Sequence, residues 1–189
     1  MSNTNYIKKI IKDYCVLDTE TTGLNPRYER VIEVGILRVR DDEIVDRYSQ
    51  LVNPGKRIDP FITELTGITN RMVADQPVFS DIREEVLAFL SDDIIIGHNT
   101  SFDIRFLSAE LGEPLCNKYM DTVQFSRKLF PELSNHRLSD MTAYLGLTNN
   151  EHRALADCVS TKELYDAIKK KMADKGQTIE HLWVSCKCK

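Results

Sequence analysis

The opening stretch, MSNTNYIKKIIKDYCVLD, lacks any apolar run long enough for a signal peptide or a membrane span. The sequence also lacks a cysteine pattern. Five cysteines are scattered along the 189 residues, and only Cys186 and Cys188 fall close together. An odd count with no secretory signal disfavours a disulfide framework and favours the reducing cytoplasm. No long basic tract is present, and the formal net charge is −4. That argues against a protein that grips duplex nucleic acid over a wide surface. An enzyme that holds a few nucleotides in a cleft, aided by cations, stays compatible, because cation-binding acids add negative charge to the metal-free chain. There is no internal repeat, low-complexity segment or linker before about residue 176.

What is present is an ordinary globular composition, 42% hydrophobic and 29% charged, with length for one domain and a substantial core. DYCVLDTE is β-branched and apolar enough for a buried strand. RVIEVGILRVR and EIVDRYSQLVNP predict two more, joined by a polar turn at Asp41, Asp42 and Glu43. Three successive strands with tight connections predict an antiparallel meander. Pro60 opens a short helix, PFITELTG, closed by Gly67. PVFSDIREEVLAFLSD carries Val78, Ile82, Val86, Leu87, Phe89 and Leu90 near helical spacing, with Ser80 as its cap. DIIIGHN reads as a short buried strand, SFDIRFLSAELG as a helix stopped by Gly112 and Pro114, and NKYMDTV as a fifth strand. VQFSRKLFPEL, RLSDMTAYLGL and RALADCVSTKELYDAIKKKMADKG read as helices, the last ending at Gly176 with lysines suited to its dipole. The expected fold class is α/β: one domain with a mixed five-stranded sheet, an antiparallel three-strand meander on one side, and flanking helices.

Asp18 and Glu20 interrupt the end of the first strand. Alternation puts both on one face and Thr19 on the other. Two like charges side by side repel, and each pKa rises unless something positive sits between them. A divalent cation with oxygen ligands, Mg²⁺ or Mn²⁺, is the natural neutraliser. An exposed acidic pair at a strand end is the plainer alternative. Asp103 falls early in a helix, where an acid is commonly a dipole or capping residue. His152 stands five residues before Asp157, at the start of the last helix. Taken together, four acids and a titratable base suit two cations about 3.5–4 Å apart, an arrangement for phosphoryl transfer.

DTETTGL, HNTSFDIRFL and HRALADC resemble, in order and spacing, the three exonuclease motifs of the DEDDh family. That family has a ribonuclease H-like fold and includes the proofreading epsilon subunit of bacterial DNA polymerase III and the exonuclease domain of PolC-type polymerases. The resemblance runs from about Tyr14 to Lys171, and NPGKRIDPFITELTGIT and FPELSNHRLSDMTAYLGL are similar to connecting segments of the PolC-like branch. It implies an exonuclease domain over residues 1–176, with its motif-bearing core at 14–171, and a short tail at 177–189. It implies that Asp18, Glu20, Asp103 and Asp157 bind two divalent ions, Mg²⁺ or Mn²⁺, and that His152 is the general base. Arg153 occupies the position where the sister subfamily has a tyrosine. The implied reaction is 3′–5′ release of 5′-mononucleotides. By the same resemblance Thr21, Thr22 and Leu24 line the terminal nucleotide's pocket. His98, Asn99 and Phe102 sit beside it, with Phe102 as a stacking surface. Leu65 and Ile68 wedge against the terminal base. Each apolar residue among these equally suits plain core.

The implied substrate is the 3′ end of single-stranded DNA, with a replicative DNA polymerase as partner, proofreading as the setting, and no membrane. RNA stays open as an alternative, as in oligoribonuclease and ribonuclease T, although a Met or Ala often replaces Thr21 or Thr22 there. A non-catalytic polymerase-associated scaffold is the other alternative, and the intact acids and His152 argue against it. The lysines of KKIIKD and KKK suit a solvated helix face better than a nucleic-acid contact. In the tail, Leu182 and Trp183 are anchors for a partner or residues that fold back on the domain. Cys186 and Cys188 are only half of a metal site, and a frayed terminus is the favoured reading of SCKCK.

Overall fold

The computed structural model describes residues 11–148 and 152–174. Strand β1 (Tyr14–Thr21) is the middle of a five-stranded sheet with β2 (Val31–Arg40), β3 (Glu43–Leu51), β4 (Ile95–Gly97) and β5 (Tyr119–Asp121), in the order β3-β2-β1-β4-β5. β1 pairs antiparallel with β2, and β2 with β3. β1 runs parallel to β4, and β4 to β5. The sheet is therefore mixed, with the expected meander on one side. Asp41 and Asp42 make the β2–β3 turn with φ of 47° and 68°. Two successive left-handed residues match the twist of a tight hairpin, and aspartate tolerates that region.

Alternation along β1 sends its side chains into two separate cores. Tyr14 and Val16 enter one with Phe125 and Leu129 of α5 (Thr122–Leu129), Met141 of α6 (Leu138–Leu145) and Leu164 and Ile168 of α7 (Ala154–Asp174). Cys15 and Leu17 enter the other with Ile82 and Val86 of α3 (Phe79–Leu90) and Phe106 and Leu107 of α4 (Ser101–Leu111). The helices thus form a layer on each face, and burial of these apolar side chains drives the stacking. A third, smaller cluster joins Ile32 to Ile58, Ile68 and Val73, and seats α1 (Pro60–Thr66) and α2 (Asn70–Val73) against β2. α1 ends at Gly67, as expected, with φ of 71° that only glycine adopts without strain.

Three expectations are corrected. Ser80 does not cap α3; the cap is Val78, and the Ser80 hydroxyl turns to Asp81, an acid in the first turn where the helix dipole favours one. The helix predicted over VQFSRKLFPEL stops at Leu129, because the residue before Pro131 is pushed out of the helical region and Phe130 has φ −128° and ψ 54°. α2 was not expected: its four residues are too few to show a period, and Thr69 caps it through its side chain. The predicted end of α7 at Gly176, the boundary at 176, and the tail with Leu182, Trp183, Cys186 and Cys188 lie outside the described residues.

Candidate metal and catalytic centre

The site is built where β1 runs out. Asp18 and Glu20 continue the Tyr14, Val16 face, so they point toward α7. A register shift between Glu20 and Thr21 bends the strand end there, as bulges do next to active sites. On β2, Gly35 pairs with Asp18. A Cβ on Gly35 would lie 2.4 Å from the carbonyl carbon of Ala154 and 2.5 Å from the nitrogen of Leu155. The missing side chain lets the first turn of α7 press onto the sheet, which carries Asp157 to the acids of β1. One ligand atom each from Asp18, Glu20 and Asp157 lies within 4.8 Å of the others.

The start of α7 is held by Glu33, which stands opposite Glu20 in the β1–β2 register. Its side chain is 2% exposed. One carboxylate oxygen accepts from Arg153 Nη2 at 2.6 Å, the other from Arg153 Nε at 3.0 Å and from the Ala154 backbone N–H at 2.9 Å. This fork-to-fork pairing fixes both distance and orientation. Glu33 also satisfies one of the orphan donors at the helix start. His152 immediately precedes this clamp, exposed and with φ of 50°. Sequence reasoning missed Glu33 and passed over Arg153. The available signal was a carboxylate inside the otherwise apolar run VIEVGIL, which needs a cationic partner to be buried.

Asp103 arrives from the opposite layer. Its Oδ1 accepts the Thr19 backbone N–H at 2.9 Å and the Thr19 hydroxyl at 2.7 Å. It is buried, and it stands outside the three-atom cluster although Asp18 feels its charge. Burial raises the Asp18 carboxyl well above its ordinary value, and Asp103, Glu20 and Asp157 push the same way. Burial, then Asp157 and Glu33, push Glu20 up to about 8, against the pull of Arg153. Asp103 rises to about 7 through burial, opposed by its bonds from Thr19. The acids cannot all ionise together near neutrality without positive charge between them. Clustered carboxylate oxygens are what Mg²⁺ or Mn²⁺ takes, so the donor set fits a hard divalent cation.

The residues expected around a nucleotide divide. Leu24 is 84% exposed and Leu65 46%, so both are free to touch a ligand. Asn99 is exposed with φ of 72°. Phe102 is partly buried and tilts onto Phe106 at 4.8 Å between centroids. Thr21 and Thr22 are buried and spend their hydroxyls on the turn, on Gly23 O at 2.6 Å and on the Glu29 carboxylate at 2.5 Å. His98 Nε2 donates to the His136 carbonyl at 2.8 Å, and its Nδ1 lies 2.9 Å from Thr122 Oγ1. It therefore braces the end of β4. Ile68 is fully buried in the small isoleucine cluster and cannot reach a base; packing explains its place.

The RNase T exonuclease family model matches residues 15–165. The PolC-type DNA polymerase III of Clostridium perfringens (strain 13 / Type A) is 37% identical over 166 residues, covering 86% of this chain and 12% of the polymerase. That of Bacillus subtilis (strain 168) is 36% identical over 169 residues, with the same shares. The chain thus spans 12% of the length of the curated relatives it matches. Among solved structures, exonuclease X in complex with 5′ overhanging duplex DNA has a TM-score of 0.72 at 28% identity, covering 90% of this chain and 97% of that one. The nuclease domain of 3′hExo, a DEDDh family member bound to rAMP, has a TM-score of 0.70 at 20% identity, covering 94% and 98%, a likeness of fold.

Proposed function

The chain belongs to the RNase T exonuclease family, and on that premise we propose that it removes 5′-mononucleotides one at a time from the 3′ ends of single-stranded or frayed DNA. The observation that carries this reading is the convergence of Asp18, Glu20 and Asp157 within 4.8 Å, with Asp103 at the same strand end through Thr19. In this reading the four acids hold two divalent ions, Mg²⁺ or Mn²⁺. When bound, the ions supply positive charge that ionises the acids, acidifies water and stabilises the charge developing on phosphate.

The chain's own residues supply the rest. His152 takes a proton from water as the water oxygen bonds to phosphorus and the bond to the 3′ oxygen breaks; that oxygen leaves with the shortened strand and takes a proton from solvent to become its 3′ hydroxyl. Imidazole suits the task because its ordinary pKa lies near 6.5. The Glu33–Arg153 pair positions His152 and Asp157 together, since both flank the clamp. Exposed Leu24 and Leu65 offer apolar surface to the terminal base. DNA is favoured as substrate because the curated relatives are DNA polymerases and exonuclease X is described with DNA. A replicative polymerase is the corresponding partner, proofreading the corresponding role, and the cytoplasm the corresponding compartment. Among the described residues no helix is long and apolar enough to cross a membrane.

The test uses single-stranded DNA, single-stranded RNA and 3′-mismatched duplex, each labelled at either end, with Mg²⁺, Mn²⁺ or EDTA. Metal-dependent release of mononucleotides from the 3′ end of DNA is the expected result, lost in Asp18→Ala. Undiminished release in EDTA, or release from the 5′ end, would overturn it.

A further inference from the structure

A second polar feature lies on the same rim of the sheet. A groove of about 570 Å³ opens beyond the ends of β4 and β5, lined among others by Asn99, Gln124, Arg127, Asn135 and Arg137. In the register, Val16 of β1 pairs with Ile96 and Gly97 of β4 pairs with Asp121 of β5. The groove therefore starts beside Asp18 and extends away from it by one and two strand spacings, ~5 and ~10 Å. Crevices at the carboxyl ends of parallel strands are where open α/β sheets bind ligands.

The groove has a fixed wall. His98, at the end of β4, holds the carbonyl of His136 in the loop between α5 and α6, and His136 in turn holds the Phe130 carbonyl at 3.0 Å. Asp121, the acid in the groove, accepts the backbone N–H groups of Asn99 and Val123 on Oδ1 at 2.9 and 3.0 Å. Arg127 and Arg137 are exposed, and among the described residues neither takes part in a salt bridge. In a chain of net charge −4 with an acidic centre, this local pair of guanidinium groups stands out. Unspent guanidinium groups beside amide side chains suit phosphodiester oxygens, with the amides adding hydrogen bonds to phosphate, sugar or base edges.

We infer that this groove is the track for the single strand leading into the centre: Arg127 and Arg137 hold phosphates on the 5′ side of the scissile bond. The inference deepens the exonuclease reading and rests on it. The groove offers a polyanion charge that the metal cluster alone would offer only at the scissile phosphate. Substrates too short to reach it gain nothing from it.

The test compares the parent with Arg127→Ala/Arg137→Ala, both at exposed positions, and with Lys170→Ala as a charge control about 24 Å along α7 from its first residue. A fluorescent oligothymidine is bound in Ca²⁺ and read by anisotropy across a salt series. Turnover in Mg²⁺ is then followed on the same oligomer and on the p-nitrophenyl ester of thymidine 5′-monophosphate, which occupies the centre and leaves the groove empty. The expected result for the double variant is about tenfold weaker oligomer binding, with a salt slope shallower by roughly 0.7 for each phosphate that is no longer neutralised. Its rate on the ester is unchanged, and Lys170→Ala behaves as the parent. Oligomer affinity and salt slope equal to the parent's would overturn the groove. So would an equal loss on the ester, which would move the arginines into the centre itself. A parent that binds the oligomer through these arginines but releases no nucleotide would sink the exonuclease reading and leave the groove standing.

Discussion

Replacing Gly35 by alanine puts a methyl group 2.4 Å from the Ala154 carbonyl carbon and 2.5 Å from the Leu155 nitrogen. An ordinary carbon contact needs about 3.5 Å, so one of the two backbones must give by about 1 Å. β2 cannot give easily, because it is hydrogen-bonded to β1 on one side and β3 on the other. The start of α7 must therefore lift, against the hold of Glu33 on Arg153 and Ala154. Overpacking of this kind costs about 1–3 kcal/mol, and backbone rather than a flexible side chain is struck, which points to the upper end. For a chain of this size the upper end is a fall in Tm of roughly 6–12 °C. The larger effect is on catalysis, because the lifted turn carries Asp157 and follows His152. A misplacement of about 1 Å is enough to cost about 10²-fold in rate. The assay is turnover on single-stranded DNA well below Tm, with thermal unfolding on the same sample. Val86→Ala, in the other core, serves as a variant that loses stability without touching α7. It should keep parental turnover. A Gly35→Ala protein with the parent's Tm and turnover would refute the account of how α7 is seated.

Glu33→Ala removes the clamp and leaves Arg153 facing a buried void; an unfolding free energy lower by about 3 kcal/mol is expected, the low end for a broken buried pair because Arg153 is 42% exposed. Denaturant titration checks it, and a loss under about 1 kcal/mol would contradict it. His152→Ala should lower turnover by about 10²–10⁴-fold while DNA affinity in Ca²⁺ and Tm stay near the parent's; turnover within a few-fold would remove His152 from the mechanism. The EDTA-treated protein should lose stability as pH rises. Glu20 and Asp103 have folded pKa values pushed up to about 8 and about 7, so the folded state binds more protons than the unfolded one. Their contribution is fully present below the ordinary carboxylate range and lost on the way up through 7 to 8. Mn²⁺ or Mg²⁺ should reverse that loss, and a Tm of the metal-free protein that stays flat from pH 5 to 8 would count against the clustered acids.

Most of the fold was legible because each long element shows one period clearly. β1 through β3 are apolar strands with tight polar turns, and α7 runs 21 residues with Asp157 in its first turn. The acids of β1 were legible because alternation alone puts Asp18 and Glu20 together. Their grouping with Asp157 was legible only through the motif resemblance; the physical means, the close approach of α7 over Gly35, was not, because the meaning of a glycine in the sequence is an absence of side chain rather than a chemical group. Glu33 was missed because a strand reading rewards the apolar neighbours around it. Ile68 was misjudged because exposure is a property of the third cluster, which forms from residues far apart in the chain. The bracing role of His98 was not legible for a related reason: its partners, Thr122 and His136, lie more than twenty residues away.

β1 has helices on both faces, and its two layers share no apolar cluster. Tyr14 and Val16 belong to one, Cys15 and Leu17 to the other. At the strand's end Asp157 descends from the α7 layer, while Asp103 reaches Thr19 from the α4 layer. Any ligand that engages both aspartates acts as a rivet through the sheet. It would tie together two helix layers whose apolar clusters are separate. Amide protection against exchange with solvent in α4 and α7 should then rise together on loading the centre, and in the unloaded protein the two helices should open with unrelated free energies.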